Sequence, residues 1–333
     1  FKLNDKIKIK YLMTDLKPNK QELKQSLKKL KLITFLKEIK KSFKILKLKK
    51  NLMIEAIKNC DSDVIISTRD IHNNWLSKYG RDKTLKIGWE HNHHHNNKRY
   101  INKVTKSVLG LDYFVLVSKD LTKFYSEKLK DKKVKCVYIP NSINFFPQEK
   151  AKLETENLIS IGRLSHEKGY LDLIDIFKEL HQKYPDSKLN IIGDGPDRKK
   201  IEKKIRDNKL EDYIILHGFQ EKEYINKYLE KSSVYIMTSY TESFGLVLLE
   251  AFAYGIPCVA YSSAEGANEI ISDNWDGYLI KDRDKNKMIK RICELLSNRN
   301  RRLIMGANGI KKAQEFNTQK TKQKWIEIIN RKK

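Results

Sequence analysis

Apolar and polar positions change rhythm along this chain. From about residue 153 onward, short continuous apolar runs alternate with Lys- and Glu-rich stretches of helical spacing. The runs are Leu158–Ile161, Leu189–Ile192, Tyr213–Leu216, Val234–Met237, Pro257–Ala260 and Gly277–Ile280. Runs this short, separated by helices, predict a parallel sheet covered on both faces. The earlier part repeats the logic with weaker punctuation, predicting strands at Lys6–Leu12, Asp63–Ile66, Leu85–Trp89, Tyr113–Val117 and Val134–Ile139. Between the first two, Glu22 to Lys50 sets Leu23, Leu27, Leu30, Ile33, Leu36, Ile39, Phe43 and Leu46 at helical spacing, which predicts one long amphipathic helix.

The expected architecture is therefore α/β in two Rossmann-like parts. Residues 1–150 form the first and 151–315 the second, and a final helix over about Thr318 to Arg331, within 316–333, crosses back onto the first. Residues 1–150 hold only Gly80, Gly88 and Gly110. A nucleotide-binding half opens with a strand and a glycine-rich turn, and none is present. With Phe as residue 1, the chain is expected to begin at the second or third element of its first part.

Composition narrows the classes. The chain has 333 residues, 40% hydrophobic and 10% aromatic, which fits globular cores. No apolar run approaches the ~18–20 residues that cross a bilayer, and no signal peptide is evident. Cys60, Cys136, Cys258 and Cys293 stand singly, pointing to a reducing compartment and no structural zinc. The net charge is +26, and residues 1–60 carry 18 Lys against 5 acidic residues, so +13 of it. A basic amphipathic helix there suits an anionic membrane surface, or packs on its own domain with a solvated lysine face. Nucleic acid is not expected as a partner, since no recognition motif appears and no arginine–aromatic cluster interrupts the lysines.

Candidate chemistry gathers where the strands of the second part end, the place where open α/β sheets bind ligands. After the first strand comes Gly162-Arg-Leu-Ser-His-Glu-Lys-Gly169, where Arg163 and Lys168 can converge on one anion. Gly193-Asp-Gly-Pro196 follows the second strand and His217-Gly-Phe219 the third. After the fourth, Glu242 and Glu250 flank a helix start with seven residues between them. Free backbone N–H groups at that start can hold an anion. Singly, each is an ordinary turn or solvated charge; together, at consecutive strand ends, they suit a ligand with phosphates and hydroxyls.

These residues resemble the donor domain of the family-4 glycosyltransferases, retaining enzymes of the GT-B fold. The matching segments are GRLSHEKG at 162–169, IIGDGP at 191–196, ILHGF at 215–219 and SYTESFGLVLLEAFAYGIPCVA at 239–260. EHN at 90–92, VSKDL at 117–121 and YIPNSIN at 138–144 match in outline. The resemblance implies that Arg163 and Lys168 hold the diphosphate of a nucleotide sugar, with UDP the expected nucleotide. Glu250 would bind the ribose hydroxyls. Glu242, Ser243 and the N–H groups of Phe244, Gly245 and Leu246 would face sugar and phosphates, with Gly162 beside them. Gly193, Gly195 and Phe219 would line the base pocket. The expected reaction moves a hexose or N-acetylhexosamine to a glycan or lipid-linked acceptor in cell-surface polysaccharide synthesis. It would use no cofactor and no metal, on the cytoplasmic side and peripheral to the membrane.

The cluster His91-Asn-His93-His94-His95 invites a metal, but no distant Cys or acidic partner stands at motif spacing, so none is expected. His91, just beyond a predicted strand, is a candidate for orienting sugar or acceptor. Arg69, Asp70 and Asn141 are weaker acceptor-side candidates. Two rival functions stay open: a GT-B epimerase, which releases nucleotide without an acceptor, and a basic membrane- or nucleic-acid-binding protein with a vestigial site.

Overall fold

The structure, a computed structural model, describes residues 4–14 and 17–330. Two sheets carry it. The first has the order β1-β2-β3-β4, with β1 Val64–Ser67, β2 Leu85–Glu90, β3 Tyr113–Leu116 and β4 Lys135–Tyr138. β1 and β2 run parallel, Val64 opposite Leu85 through Ser67 opposite Gly88. Helices α3 (Asp70–Tyr79), α4 (Lys98–Ser107) and α5 (Lys119–Lys128) connect these strands.

The second sheet is six-stranded and follows the order β10-β9-β8-β5-β6-β7. Its strands are β5 Leu158–Ile161, β6 Leu189–Ile192, β7 Ile214–Leu216, β8 Val234–Met237, β9 Cys258–Tyr261 and β10 Gly277–Ile280, all paired in parallel. Helices α6 (Tyr170–His181), α7 (Arg198–Asp207), α8 (Lys222–Glu230), α9 (Leu246–Ala253) and α10 (Glu265–Ile270) link them, and α11 (Lys285–Ser297), α12 (Arg299–Glu315) and α13 (Thr318–Asn330) complete the chain. The predicted apolar runs are the buried strands: every residue of β6, β8 and β9 is buried. Leu158, Leu189, Ile236 and Val259 pack there with Phe177 and Ile292 from the helices.

The strand order sets the chemistry. From β5 the chain moves outward to β6 and β7, then returns to β8 on the other side of β5 and moves outward again. Such a reversal leaves a crevice at the carboxyl ends of the two central strands. Here β5 and β8 pair only at Leu158–Val234 and Ile159–Tyr235. Beyond that, the buried Tyr235 hydroxyl accepts from the Ile161 N–H at 3.2 Å and donates to the Ile161 carbonyl at 3.1 Å.

Contacts divide the chain into two compact units. One comprises residues 1–88, 103–113 and 132–134, the other 89–102, 114–131 and 135–333. In the first, two expectations fail. Residues 6–12 form no strand: Ile7, Ile9 and Tyr11 are exposed, and alternation alone does not hold a strand that has no partner to share its hydrogen bonds. The single helix over Glu22–Lys50 is two, α1 (Lys20–Lys28) and α2 (Leu32–Lys58). Leu30 is left-handed at φ 52°, and the Lys31 N–H reaches back to the Ser26 carbonyl, the wrap-around bond that closes a helix.

The exposed stripe Leu32, Leu36, Phe43 and Leu46 runs along α2 among lysines. A groove of about 860 Å³ opens beside it in the same unit, lined by Leu12, Met13, Phe43, Met53 and Trp75 with Lys10, Lys47 and Arg69 at its rim. Among the described residues no helix is long and apolar enough to cross a membrane.

Candidate active site

Four loops leave the carboxyl ends of β5 to β8, and hydrogen bonds lace them into one rim within the second unit. The β5 loop is tied to the β6 loop by Leu164 N–H to the Asp194 carbonyl at 3.0 Å and Asp197 N–H to the Leu164 carbonyl at 2.9 Å. Gly193 N–H donates to the Gly218 carbonyl at 2.8 Å, joining the β6 and β7 loops. On the other side, Tyr240 N–H donates to the Glu167 carbonyl at 2.8 Å and the Thr238 hydroxyl to the Gly169 carbonyl at 2.9 Å.

Gly193 shows why its residue type is needed. Its φ is 140°, and a Cβ there would lie 1.9 Å from the Gly162 carbonyl oxygen. Gly195 abuts Leu164 the same way, its Cβ position 2.3 Å from that carbonyl oxygen.

On this rim the predicted cations and acids meet. Lys168 leaves the end of the β5 loop and its ammonium donates to the Glu242 carboxylate, both groups half-buried. Arg163 is exposed and makes no side-chain hydrogen bond or ion pair among the described residues; its charge reaches Glu167 and helps hold that carboxyl below its ordinary range, behind the stronger effect of the Ser165 hydroxyl. α9 begins after Gly245, left-handed at φ 88°. The N–H groups of Phe244, Gly245 and Leu246 have no acceptor among the described residues, so the helix start presents three free donors toward an anion. Phe244 itself is buried edge-on against Phe316. Glu250 sits one turn along α9, and Lys222 at the start of α8 donates to it at 2.7 Å. Phe219 is 76% exposed. Beside it His217 bonds Asn190 and Tyr224, each at 2.9 Å, and burial pushes its pKa down.

The histidine run forms a loop after β2 and belongs to the same unit. Glu90 anchors it: this buried carboxylate accepts from Asn92 N–H at 2.8 Å and from the Tyr100 hydroxyl at 3.1 Å, and burial pushes its pKa up. The His91 ring packs tilted against Trp89, which in turn meets Trp325 of α13 edge-on, and burial lowers the His91 pKa. The histidines that touch the Glu242 turn are its neighbours. His93 N–H donates to the Ser243 hydroxyl at 2.9 Å, and Nδ1 of His95 lies 2.8 Å from the Thr241 hydroxyl. Asn141 lies half-buried where Ile143 bridges Asn317. Arg69 caps the start of α3 in the first unit, on the rim of the apolar groove, and Asp70 pairs with Lys103 at 2.5 Å.

Several residues central to this geometry carry no signal in the sequence. Glu265, at the head of α10, accepts from Thr241 at 2.9 Å and from Glu242 N–H at 3.2 Å, so it positions the turn. Arg283 bonds Asp172 at 2.5 Å and the Thr238 carbonyl at 3.0 Å, while stacking on Tyr240 and Tyr261. Only its place after a strand hints at either.

A family model, "Glycosyl transferases group 1", matches residues 141–312, which include all four rim loops. The chain belongs to this family. An uncharacterized glycosyltransferase of Haemophilus influenzae is 27% identical over 247 residues, 73% of this chain and 69% of the relative. A poly(glycerol-phosphate) alpha-glucosyltransferase of Bacillus subtilis is 26% identical over 250 residues, 72% of this chain. Among solved structures, TarM of S. aureus, crystallised with fondaparinux, alpha-GlcNAc-glycerol and UDP, superposes with a TM-score of 0.74 at 21% identity over 84% of this chain. That likeness is one of fold, GT-B. The chain spans 36% of the Bacillus relative and 58% of the TarM chain. This glycosyltransferase thus places Glu242 and Glu250, both inside the matched range, on either side of the start of α9 at the strand-order reversal.

Proposed function

We propose that the protein transfers a hexose or N-acetylhexosamine from a UDP-linked donor, with retention and without a metal at the diphosphate, to a glycan or lipid-linked acceptor in cell-surface polysaccharide synthesis. The observation that carries this reading is the convergence of Lys168, Glu242 and the free N–H groups of Phe244, Gly245 and Leu246 at one crevice, with Arg163 on the same loop as Lys168. Cleavage of a sugar–phosphate bond leaves growing negative charge on the nucleoside diphosphate. A guanidinium, an ammonium and a helix start aimed at that charge stabilise the transition state more than the ground state. Glu250 takes the ribose, exchanging its Lys222 contact for hydroxyls. Glu242 keeps the Lys168 ammonium oriented and faces the sugar, with Ser243 beside it. Gly193, Gly195 and Phe219 line the base side, Gly162 lies beside the phosphates, His91 orients sugar or acceptor, and Asn141 serves the acceptor.

Retention by two displacements needs a carboxylate opposite the leaving group. In this proposal the substitution instead proceeds on one face through an ion-pair-like state. The TarM complex supports the donor class: it contains UDP and alpha-GlcNAc-glycerol. The Bacillus relative, named for poly(glycerol-phosphate), supports a cell-surface polymer as acceptor.

The test is titration with UDP-, GDP- and ADP-sugars under thermal unfolding. A ligand at 100 times its dissociation constant adds about 2.7 kcal/mol, and Arg163→Ala and Lys168→Ala are expected to lose that protection for UDP-sugars. If no nucleotide sugar protects the unaltered protein, the donor site is refuted. A β-linked product from an α-linked donor refutes retention.

The first unit supports an anionic membrane surface as the working location, on the cytoplasmic face. The exposed stripe of α2 and the lysine- and arginine-rimmed apolar groove suit lipid chains beside phosphate headgroups, and Arg69 on that rim suits a lipid-linked acceptor. Binding to anionic vesicles but not neutral ones is expected, and equal or absent binding removes this part.

A further inference from the structure

Glu265 supplies what the histidine run lacks in sequence, a carboxylate from a distant element. His93, His95 and Glu265 each offer a ligand atom, and these atoms lie within 4.8 Å of one another. Nδ1 of His93 stands 3.1 Å from Oε1 of Glu265. That separation is the spacing of two adjacent ligands on one ion with bonds of ~2.0–2.2 Å.

The surroundings are arranged for it. Oε2 of Glu265 is held by the Thr241 hydroxyl at 2.9 Å and the Glu242 N–H at 3.2 Å, which leaves Oε1 turned to His93. The same Thr241 hydroxyl lies 2.8 Å from Nδ1 of His95. With that Nδ1–H donated to Thr241 and the Thr241 proton donated to Glu265, the tautomer is fixed and Nε2 of His95 keeps its lone pair. Orienting contacts of this kind accompany metal-bound histidine and carboxylate. Nδ1 of His93 lies 3.1 Å from the backbone N of His95 and 3.1 Å from Oε1 of Glu265. An ion bound at this Nδ1 replaces the His95 backbone contact and reaches Glu265 as well.

We propose that His93, His95 and Glu265 bind a divalent transition-metal ion of the zinc class, fastening the histidine loop to the turn that carries Glu242. Two imidazoles and one carboxylate suit zinc, cobalt or iron(II) and leave coordination positions open. The ion sets the position of the turn and takes no part in the transfer as described above, so this inference stands or falls apart from the donor assignment.

Untagged, metal-stripped protein is titrated with Co2+ and then with Zn2+ in competition. A saturable visible spectrum of a four- or five-coordinate Co2+ at a single equivalent is expected, bleached by Zn2+. His95→Ala and Glu265→Gln each weaken Zn2+ by more than ~100-fold, whereas Thr241→Val, which removes the orienting contacts to His95 and Glu265 but no ligand, costs about 10–100-fold. His166→Ala, at a histidine outside the cluster, leaves affinity unchanged and controls for casual imidazole binding. Thermal unfolding of each metal-free variant near that of the metal-free parent shows the fold intact. Absence of the Co2+ spectrum in the parent protein, or its survival in either His95→Ala or Glu265→Gln, overturns the site.

Discussion

Alanine in place of Gly193 separates loop geometry from chain stability. A Cβ there would lie 1.9 Å from the Gly162 carbonyl oxygen, where ordinary contact begins at 3.4 Å, so about 1.5 Å must open between the β5 and β6 loops. Both flanks are tied: Gly162 N–H donates to Ile192 at 2.9 Å and Gly193 N–H to Gly218 at 2.8 Å. Opening the gap therefore drags the β5 loop that carries Arg163 and Lys168. The backbone strain is ~1–3 kcal/mol, and a displacement of about 1 Å at a positioned group costs on the order of 10²-fold. Gly255→Ala is the control, because Gly255 is also left-handed at φ 74° but its Cβ would meet only the tip of Ile310, at 3.3 Å. That variant is expected to lose ~1–2 kcal/mol and keep its affinity for UDP. Calorimetric titration with UDP, beside urea unfolding of both variants, reads the two effects separately. Folded Gly193→Ala that binds UDP within a few-fold of the parent refutes the argument that these loops are positioned by that close approach.

Three further perturbations are informative. Glu250→Gln is expected to abolish the preference for UDP over 2′-deoxy-UDP, and a preference that persists in titration removes Glu250 from the ribose. Asp276 is fully buried with one carboxylate oxygen unpartnered, and burial pushes its pKa up from 3.8 to about 6. The folded state thus holds the proton more tightly than the unfolded, and the stability this confers is full below pH 3.8 and lost as pH rises through about 6. Asp276→Asn removes that slope, so its advantage over the parent should grow across this window and then level off; parallel curves from urea unfolding would contradict it. Arg302 is buried and its guanidinium donates to the carbonyls of Leu153, Leu295 and Leu296. Arg302→Met is expected to cost at least ~1–3 kcal/mol, the penalty of one orphaned buried acceptor, and Arg302→Lys to recover part of it by the same measurement.

The second half was legible because its information is local. A buried parallel strand such as Val234–Met237 is apolar along its whole length, and the loop that follows it carries its own glycine and charges. Contacts between distant residues were not legible. Thr241 meets His95 across 146 positions, and Glu265 looks like any acidic residue at a helix start until the fold brings it to His93. In the first unit, alternation at Lys6–Leu12 imitated a strand, and the helical spacing of Leu27, Leu30 and Ile33 ran unbroken through a helix end. Spacing records which residues share a face. It does not record a partner strand, nor a leucine turned left-handed.

The phenol of Tyr235 acts as a spacer of fixed length. It occupies the two hydrogen-bonding positions on Ile161 that a neighbouring strand would otherwise take, and burial holds its proton on, so it remains both donor and acceptor at any physiological pH. The width of the mouth is therefore written in one aromatic side chain and not in the loops above it. Phenylalanine at this position would strand one N–H and one carbonyl, leaving the sheet either to zip shut over the crevice or to take water into its middle. A glycosyltransferase with this architecture can exchange its loops without touching the gap between its two central strands.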